Sequence, residues 1–232
     1  MSIKVKTSKK IRTAHRYLGL FLGIQFLFWT ISGLYFSWTD LDQIHGDHFK
    51  KKPIKKEFDN LLSPSEISLN NRIKTLEIRE IADTPYYWIN NSKLLNAHNG
   101  VLKDSITKDE AIIISNNHIL DEYKVSDIEI IYEVGNHHEY REKPLPAYVI
   151  SYESNDNLKS YISINDGKFQ TVRHRSWRWF DFLWMTHTMD YENRDDFNNK
   201  LIRAFSIMGL VTVMSGFLLW FVTSKTLRKI FK

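Results

Sequence analysis

Two uncharged apolar runs dominate the pattern of hydrophobic and polar positions along the chain. No Asp, Glu, Lys or Arg occurs in residues 17–39 or 204–224. Each run reaches the roughly 20 residues that a helix needs to cross the hydrocarbon core of a bilayer. Trp38 and Trp220 lie near the ends of these runs, where membrane helices often carry aromatic residues. The pattern predicts two transmembrane helices, at 17–39 and 200–224.

Two alternatives to this interpretation are weaker. A buried helix of a soluble core rarely stays free of charge for so long. A cleaved signal peptide has an apolar stretch of about 7–15 residues and a small-residue cleavage site, and the first run is longer and lacks that site. We therefore expect an uncleaved signal anchor.

Shorter periodicities between the two runs predict an α+β domain at 40–172. Alternating residues from Ile73 to Ile81 indicate a half-buried strand. Thr107 with Glu110 favours a helix start, and Ser63 with Glu66 favours a second, short helix. Further strands are expected at PYYWIN, KLLNAHNGVL, DIEIIYEV, PAYVISYE, LKSYISI and KFQTV. Asn-Gly and Asp-Gly turns separate several of them, which is typical of an antiparallel sheet. A weak internal repeat, Pro-x-Tyr followed by a strand and a glycine turn, suggests two copies of a strand–hairpin unit.

Residues 173–199 form an aromatic segment, which begins RHRSWRWFDFLWMTHTMDY. If this stretch is helical, Trp177, Phe180, Trp184 and His187 fall on one face because they are three or four residues apart. Arginines at its start could meet lipid phosphates or the acidic domain. The segment is predicted to be an interfacial collar beside the second membrane helix.

Charge is distributed in a way that predicts orientation. The tails 1–16 and 225–232 carry ten Lys and Arg and no acid, whereas residues 39–199 carry all 27 acidic residues against 20 Lys and Arg. By the positive-inside rule, both termini are expected in the cytoplasm and the central domain outside. Basic residues in membrane-flanking tails do not form a groove-facing patch, so no nucleic-acid partner is expected. The chain has no cysteine, which excludes disulfides and thiolate chemistry.

Four stretches carry a resemblance to a known family. They are HRYLGLFLGIQFLFWTISGLYFSW, LPAYVISYESNDNLKSYISINDGKF, WRWFDFLWMTHTMD and SGFLLWF, in that order along the chain. Together they resemble the PepSY-associated transmembrane family of bacterial inner-membrane proteins. The resemblance implies a fold of membrane α+β class, with two transmembrane helices flanking a periplasmic antiparallel PepSY-like domain.

The same resemblance implies a role in iron handling. Larger relatives include ferric-siderophore reductases with haem between histidine-bearing helices, and PepSY domains elsewhere bind peptides or inhibit proteases. This chain has only two predicted spans and no reductase domain. An accessory subunit is therefore expected, with haem b as the possible cofactor.

Histidine is the common axial ligand of haem iron. The candidate cofactor-binding residues are His15, His45, His48, His174 and His187. A helix of about 33 Å, at ~1.5 Å per residue, separates His15 from the other four. A site at His15 would need a ligand from a second copy or a partner protein, whereas His45 or His48 could meet His187. The alternatives remain open: interfacial placement for His15, exposure for His45 and His48, and a packed, hydrogen-bonded role for His187.

Glycines in the apolar runs and the missing catalytic motifs bear on helix packing and on enzyme chemistry. Gly19 and Gly23 form a G-x-x-x-G pattern, and Gly33 and Gly216 each follow a serine, so close helix packing is possible at any of them. Glycine loops for phosphates, the Gly-x-Ser-x-Gly elbow and H-E-x-x-H are missing, and no catalytic residue is assigned.

Two functions follow as hypotheses. The first is an accessory subunit in iron, siderophore or haem-linked redox handling, which works with a membrane partner or as a homo-oligomer. The second is a non-catalytic membrane-anchored module whose periplasmic domain binds a peptide or protein.

Overall fold

The computed structural model describes residues 5–52, 56–67 and 72–224. The chain divides into two compact units. We call them the helical unit, residues 1–39 and 180–232, and the sheet unit, residues 40–179. The basic tail predicted at 225–232 lies outside the described residues, as do the first four residues of the N-terminal tail.

Two long helices and the end of a third form the helical unit. Helix α1 is Val5–Trp38, so the apolar run predicted at 17–39 is the later part of a longer helix. Helix α5 is Lys200–Thr223, and the side chain of Asn199 caps it by accepting the Ile202 N–H. Helix α4, Arg175–Thr188, enters the unit at Phe180, so the first part of the aromatic segment 173–199 is helical.

Both long helices are long and apolar enough to cross a membrane, by length and composition. The two segments are Lys9–Trp38 and Lys200–Phe221, with mean hydropathies of 1.6 and 1.9. Only 17% and 11% of their most apolar windows are buried within the protein. A helix in a soluble core would bury most of such a window, so this exposure fits a lipid-facing surface better.

Two glycines of α5 lie against side chains of α1. A Cβ added at Gly209 would lie 3.0 Å from the Phe26 ring, and one at Gly216 would lie 3.3 Å from Cε1 of His15. Among the described atoms, nothing lies within 4 Å of a Cβ added at Gly19, Gly23 or Gly33. The G-x-x-x-G pattern therefore does not form the α1–α5 contact, and of the two Ser-Gly glycines only Gly216 lies against the opposite helix.

Two four-stranded antiparallel sheets form the sheet unit, each with its strands in sequence order. The first contains β1 Leu76–Ile81, β2 Thr84–Ile89, β3 Lys93–Asn96 and β4 Leu102–Lys103. The second contains β5 Val125–Ile131, β6 Ala147–Tyr152, β7 Lys159–Ser163 and β8 Phe169–Arg173. Short helix α2 is Leu41–Ile44, a 3₁₀ turn covers Asp47–Phe49, and α3 is Lys108–His118. Two meanders of the same strand order are what the internal repeat predicts.

Helix α3 joins the two sheets in one core. Its start follows the predicted capping box: Thr107 accepts the Glu110 N–H, and the Glu110 carboxylate accepts the Thr107 N–H. The buried Ile114 of α3 belongs to the same cluster as Trp88 of the first sheet and Ile150 of the second. Because one cluster draws on all three elements, burial of this apolar surface stabilises the sheet unit as a whole.

The helix predicted after Ser63 is wrong within the described residues. Residues 64–66 form a turn, in which the Glu66 N–H donates to the Ser63 carbonyl at 2.8 Å. The Glu66 side chain also accepts the Ser63 N–H at 2.7 Å. The capping contact therefore forms without a helix behind it, and residues 68–71 lie outside the described chain.

Candidate functional site

His187 lies near the C-terminal end of α4 and contacts α1 within the helical unit. Its Nδ1 is 2.7 Å from the hydroxyl oxygen of Ser32, which is fully buried. Ser32 belongs to the first Ser-Gly element of the sequence. The residue that sequence reasoning favoured as a ligand is therefore held by a buried hydroxyl group.

The hydrogen bonds of Ser32 assign the tautomer of His187. The Ser32 hydroxyl donates to the Phe28 carbonyl at 2.7 Å, with the Trp29 carbonyl at 3.2 Å. A hydroxyl has only one proton, so when Ser32 donates to these carbonyls it accepts from His187, and Nδ1 then carries the hydrogen. The lone pair then lies on Nε2, to which no described residue hydrogen-bonds. Nε2 is therefore the atom that would coordinate a metal ion or accept a hydrogen bond.

Two side chains of α1 fix the end of α4. The Trp29 indole N–H donates to the carbonyl of His187 at 2.8 Å, and the Gln25 amide donates to the carbonyl of Thr186 at 3.1 Å. The last carbonyls of a helix have no partner within that helix. These two donors satisfy them, so the position of His187 is determined by its backbone as well as by its ring.

An aromatic ring of α1 contacts the imidazole and two aromatic rings of α4. Phe36 of α1 contacts Phe180, Trp184 and His187, with ring centroids 5.0, 5.7 and 5.6 Å away. Three of the four residues predicted to share a face therefore meet one ring of α1. Burial lowers the pKa of His187 below its ordinary value. The imidazole is thus neutral at neutral pH, which is the form that binds metal.

The loop that follows, residues 189–199, is fixed by its own side chains. The buried carboxylate of Asp190 accepts hydrogen bonds from the backbone N–H groups of Glu192, Asn193 and Asp196. Burial raises the pKa of Asp190, but these hydrogen bonds outweigh it and keep the pKa below its ordinary value. Arg194 forms an ion pair with the buried Asp181 of α4. The loop is therefore held in one conformation beside the end of α4.

His15 forms a second histidine–serine pair in the helical unit. Its Nδ1 lies 2.7 Å from the hydroxyl of Ser215, and this hydroxyl donates to the Thr212 carbonyl at 2.7 Å. The same proton count places the hydrogen on Nδ1 and the lone pair on Nε2. Ser215 belongs to the second Ser-Gly element. The serine of each Ser-Gly element is therefore hydrogen-bonded to a histidine.

The other three candidate histidines belong to the sheet unit. His174 is buried, and its Nε2 lies 3.0 Å from the carbonyl of Ile44, so it is a hydrogen-bonded core residue. Burial lowers the pKa of His174. His48 is exposed, with its ring 5.5 Å from the ring of His174, and His45 is the exposed C-cap of α2. A ligand pair of His187 with His45 or His48 remains a prediction.

The arginines at the start of the aromatic segment bind within the sheet unit. Arg178 forms an ion pair with Glu139, with Nε 2.5 Å from a carboxylate oxygen. The Arg173 guanidinium lies 3.9 Å from the centre of the Trp177 ring, and Arg175 donates to the Asn155 carbonyl. The sequence predicted lipid phosphates or the acidic domain as partners of these arginines, and Arg178 pairs with an acidic residue of the domain.

A buried hydroxyl cluster is the other polar feature of the sheet unit. The hydroxyl of Ser160 lies 2.8 Å from that of Ser115 and 2.9 Å from that of Tyr152, and Ser115 and Tyr152 are also hydrogen-bonded. Burial raises the pKa of Tyr152. No His, Asp or Glu side chain in the described chain hydrogen-bonds to these hydroxyls, so they lack the base that activates a serine nucleophile.

Sequence reasoning missed the partners of the two histidines. It considered the Ser-Gly elements only as places for close helix approach, whereas Ser32 and Ser215 act through their hydroxyls. Gln25 and Trp29 were also missed, because the one sequence signal for their role is a polar group within an apolar run. Within residues 5–52, 56–67 and 72–224, no group of three or more His, Asp or Glu side chains could hold a metal ion.

Comparison with known proteins leaves the family open. No protein-family model matches the chain, and no curated protein or solved structure matches it significantly. What the fold defines is an α+β protein with two antiparallel four-stranded sheets and two helices long and apolar enough to cross a membrane. Membership of the PepSY-associated family remains a prediction.

Proposed function

We propose that this is a bacterial inner-membrane protein and an accessory subunit in iron- or haem-linked redox handling. The helices α1 and α5 cross the membrane, both termini are cytoplasmic and the sheet unit is periplasmic. The apolar, exposed surfaces of both helices and the basic tails support this topology. A reporter fused after Lys232 should be active only in the cytoplasm. Activity of a periplasmic reporter there would overturn the two-span topology.

One observation carries the redox proposal: the Nδ1–H of His187 is fixed by Ser32, which leaves the Nε2 lone pair available. Metal-binding histidines generally donate their other ring N–H to a fixed acceptor, which sets the tautomer and ring orientation. The neutral imidazole and the aromatic rings of Phe36 and Trp184 suit an apolar macrocycle. The site thus fits haem with respect to one axial ligand.

A second residue to hold the haem would come from a partner protein or, as the sequence predicts, from His45 or His48. Ser32 and His15 are 17 residues apart on α1, which is about 25 Å at ~1.5 Å per residue. The two histidine–serine pairs of the helical unit therefore cannot bind the same iron. A haem at His187 would supply one-electron reduction of ferric iron, while the protein holds the imidazole, orients it and excludes water.

A visible spectrum tests the proposal. Protein purified in mild detergent, oxidised and then reduced with dithionite, is expected to show the Soret and α bands of a b-type haem. His187→Ala should abolish them, whereas His98→Ala, on a hairpin of the sheet unit, should keep them. A colourless wild type after growth with added haem precursor, or bands that survive His187→Ala, would overturn the role of His187.

A second candidate function rests on the edge of the second sheet. Strand β5 is an edge strand, and Ile130 and the adjacent Tyr132 are 41% and 72% exposed. Edge strands with apolar side chains are sites where an extended peptide adds a strand. On this alternative the sheet unit binds a peptide or protein without catalysis. Glu129→Pro would then abolish co-purification of the partner and leave any haem spectrum unchanged.

A further inference from the structure

His15 and Ser215 form a polar pair that the proposed function does not use. The hydrogen on Nδ1 is committed to Ser215, whose own proton is committed to the Thr212 carbonyl. No described residue hydrogen-bonds to Nε2 of His15. This atom can therefore only accept a hydrogen bond or bind a metal, and at neutral charge it cannot donate.

A shallow apolar groove borders this histidine. Val213, Gly216, Phe217 and Trp220 line it, three or four residues apart on one face of α5, and its volume is about 450 Å³. Ligand sites for small molecules commonly have volumes of about 300–1,000 Å³. Gly216 joins the groove to the imidazole, because a Cβ at this position would lie 3.3 Å from Cε1 of His15 and 3.9 Å from Nε2.

The chemistry of the groove selects among membrane-soluble ligands. Its walls include the aromatic rings of Phe217 and Trp220, against which a flat ring packs well. The polar atom that lies beside Gly216 is Nε2 of His15, which accepts in this tautomer, so a ligand that pairs with it needs a donor hydroxyl on that ring. A lipid acyl chain has no such hydroxyl. A hydroquinone has a flat ring, two phenolic hydroxyls and an apolar tail that reaches the site from the bilayer.

We propose that the groove beside Gly216 binds the ring of a membrane hydroquinone, with one hydroxyl donating to Nε2 of His15. This binding does not depend on the haem proposed at His187, because Ser32 and His15 are about 25 Å apart along α1 at ~1.5 Å per residue.

Tryptophan fluorescence measures this binding without haem. Full-length protein in nanodiscs is titrated with decylubiquinone and with its dithionite-reduced hydroquinone, each of which should quench Trp220 and saturate. Gly216→Leu fills the groove and His15→Ala removes the acceptor, and each should weaken hydroquinone binding at least tenfold. The matched controls are Gly33→Leu, at a glycine with open space around it, and His98→Ala. Both controls should keep wild-type affinity.

A third variant guards against misfolding. Trp220→Phe keeps an aromatic wall, so it should remove much of the quenching amplitude while hydroquinone still competes with a bound spin-labelled quinone. Hydroquinone affinity that is unchanged in both His15→Ala and Gly216→Leu would overturn the proposal. So would equal competition by decane, which would indicate an acyl-chain groove. Loss of haem in His187→Ala concerns only the proposed function, so the two failures are distinguishable.

Discussion

The two histidine–serine pairs of the helical unit have the same hydrogen bonds in different surroundings. In both, the imidazole donates from Nδ1 to a serine whose own proton goes to a helix carbonyl, so both present the Nε2 lone pair. The Phe36 ring packs against His187, whereas His15 lies on the flat surface of Gly216 beside an open groove. The comparison shows that hydrogen bonding sets the tautomer, while the neighbouring side chains decide which ligand can approach.

The largest expected difference comes from removing each serine hydroxyl. Ser32→Ala leaves Nδ1 of His187 without its acceptor, and loss of such a supporting partner typically weakens metal binding 10–100-fold. We expect that loss in the haem dissociation constant, measured by titration at the Soret band. Ser215→Ala is the matched control, since it changes the other pair and should leave haem affinity unchanged. Equal effects of the two variants would contradict the separate roles.

Replacing the ring that packs against His187 should have the next largest effect. Phe36→Leu loses the aromatic contacts with Phe180, Trp184 and His187, at about 0.5–1.5 kcal/mol each, so we expect the free energy of unfolding to fall by roughly 2 kcal/mol. Phe21→Leu removes only the stacking on Phe205 and should cost about 1 kcal/mol. Denaturant unfolding in detergent measures both. A Phe21→Leu effect as large as that of Phe36→Leu would argue against these aromatic contacts.

The glycine beside His15 provides a smaller test. Gly216→Ala places a Cβ 3.3 Å from an imidazole that Ser215 holds in place, whereas Gly33→Ala adds one in open space. Alanine in a helix is favoured over glycine by roughly 0.5–1 kcal/mol. We expect this gain in the thermal stability of Gly33→Ala and no gain in Gly216→Ala. A stabilised Gly216→Ala would mean that His15 moves freely.

The smallest effect is a dependence of stability on pH. The pKa of His187 is lowered in the folded protein by burial, and an unfolded histidine has a pKa near 6.5. The unfolded state therefore binds the proton first, so stability is full above about pH 6.5 and falls as pH decreases below it. Thermal unfolding between pH 7.5 and 5.5 should show this decline. His187→Gln should reduce its slope, with His174 accounting for the remainder, and an unchanged slope would contradict the assignment.

Much of the fold could be predicted because its signals are local. The strand that ends at Ile81, the capping box at Thr107 and the spacing that aligns Phe180, Trp184 and His187 each concern residues only a few positions apart. Local geometry determines such features, whatever the rest of the chain does. The turn at Ser63 was mistaken for a helix because the capping contact forms with or without further helical residues.

The partners in the site could not be predicted, since they are far apart in sequence. Ser32 and His187 are separated by 155 positions, and Ser215 and His15 by 200. No periodicity encodes which serine of an apolar helix meets which histidine. The sequence did single out His187 and both Ser-Gly elements. Their pairing, and the role of the serine hydroxyl, depend on the packing of the helices.

The loop at residues 189–199, whose backbone N–H groups bind the Asp190 carboxylate, has a practical consequence for mapping the topology of the protein. Exposed connections usually tolerate inserted tags. An insertion at 190–196 would separate the Asp190 carboxylate from the N–H groups that it binds. The turn at Asn91 and Ser92, between β2 and β3, is exposed. Epitopes or protease sites for reporting the location of the sheet unit therefore belong at this turn.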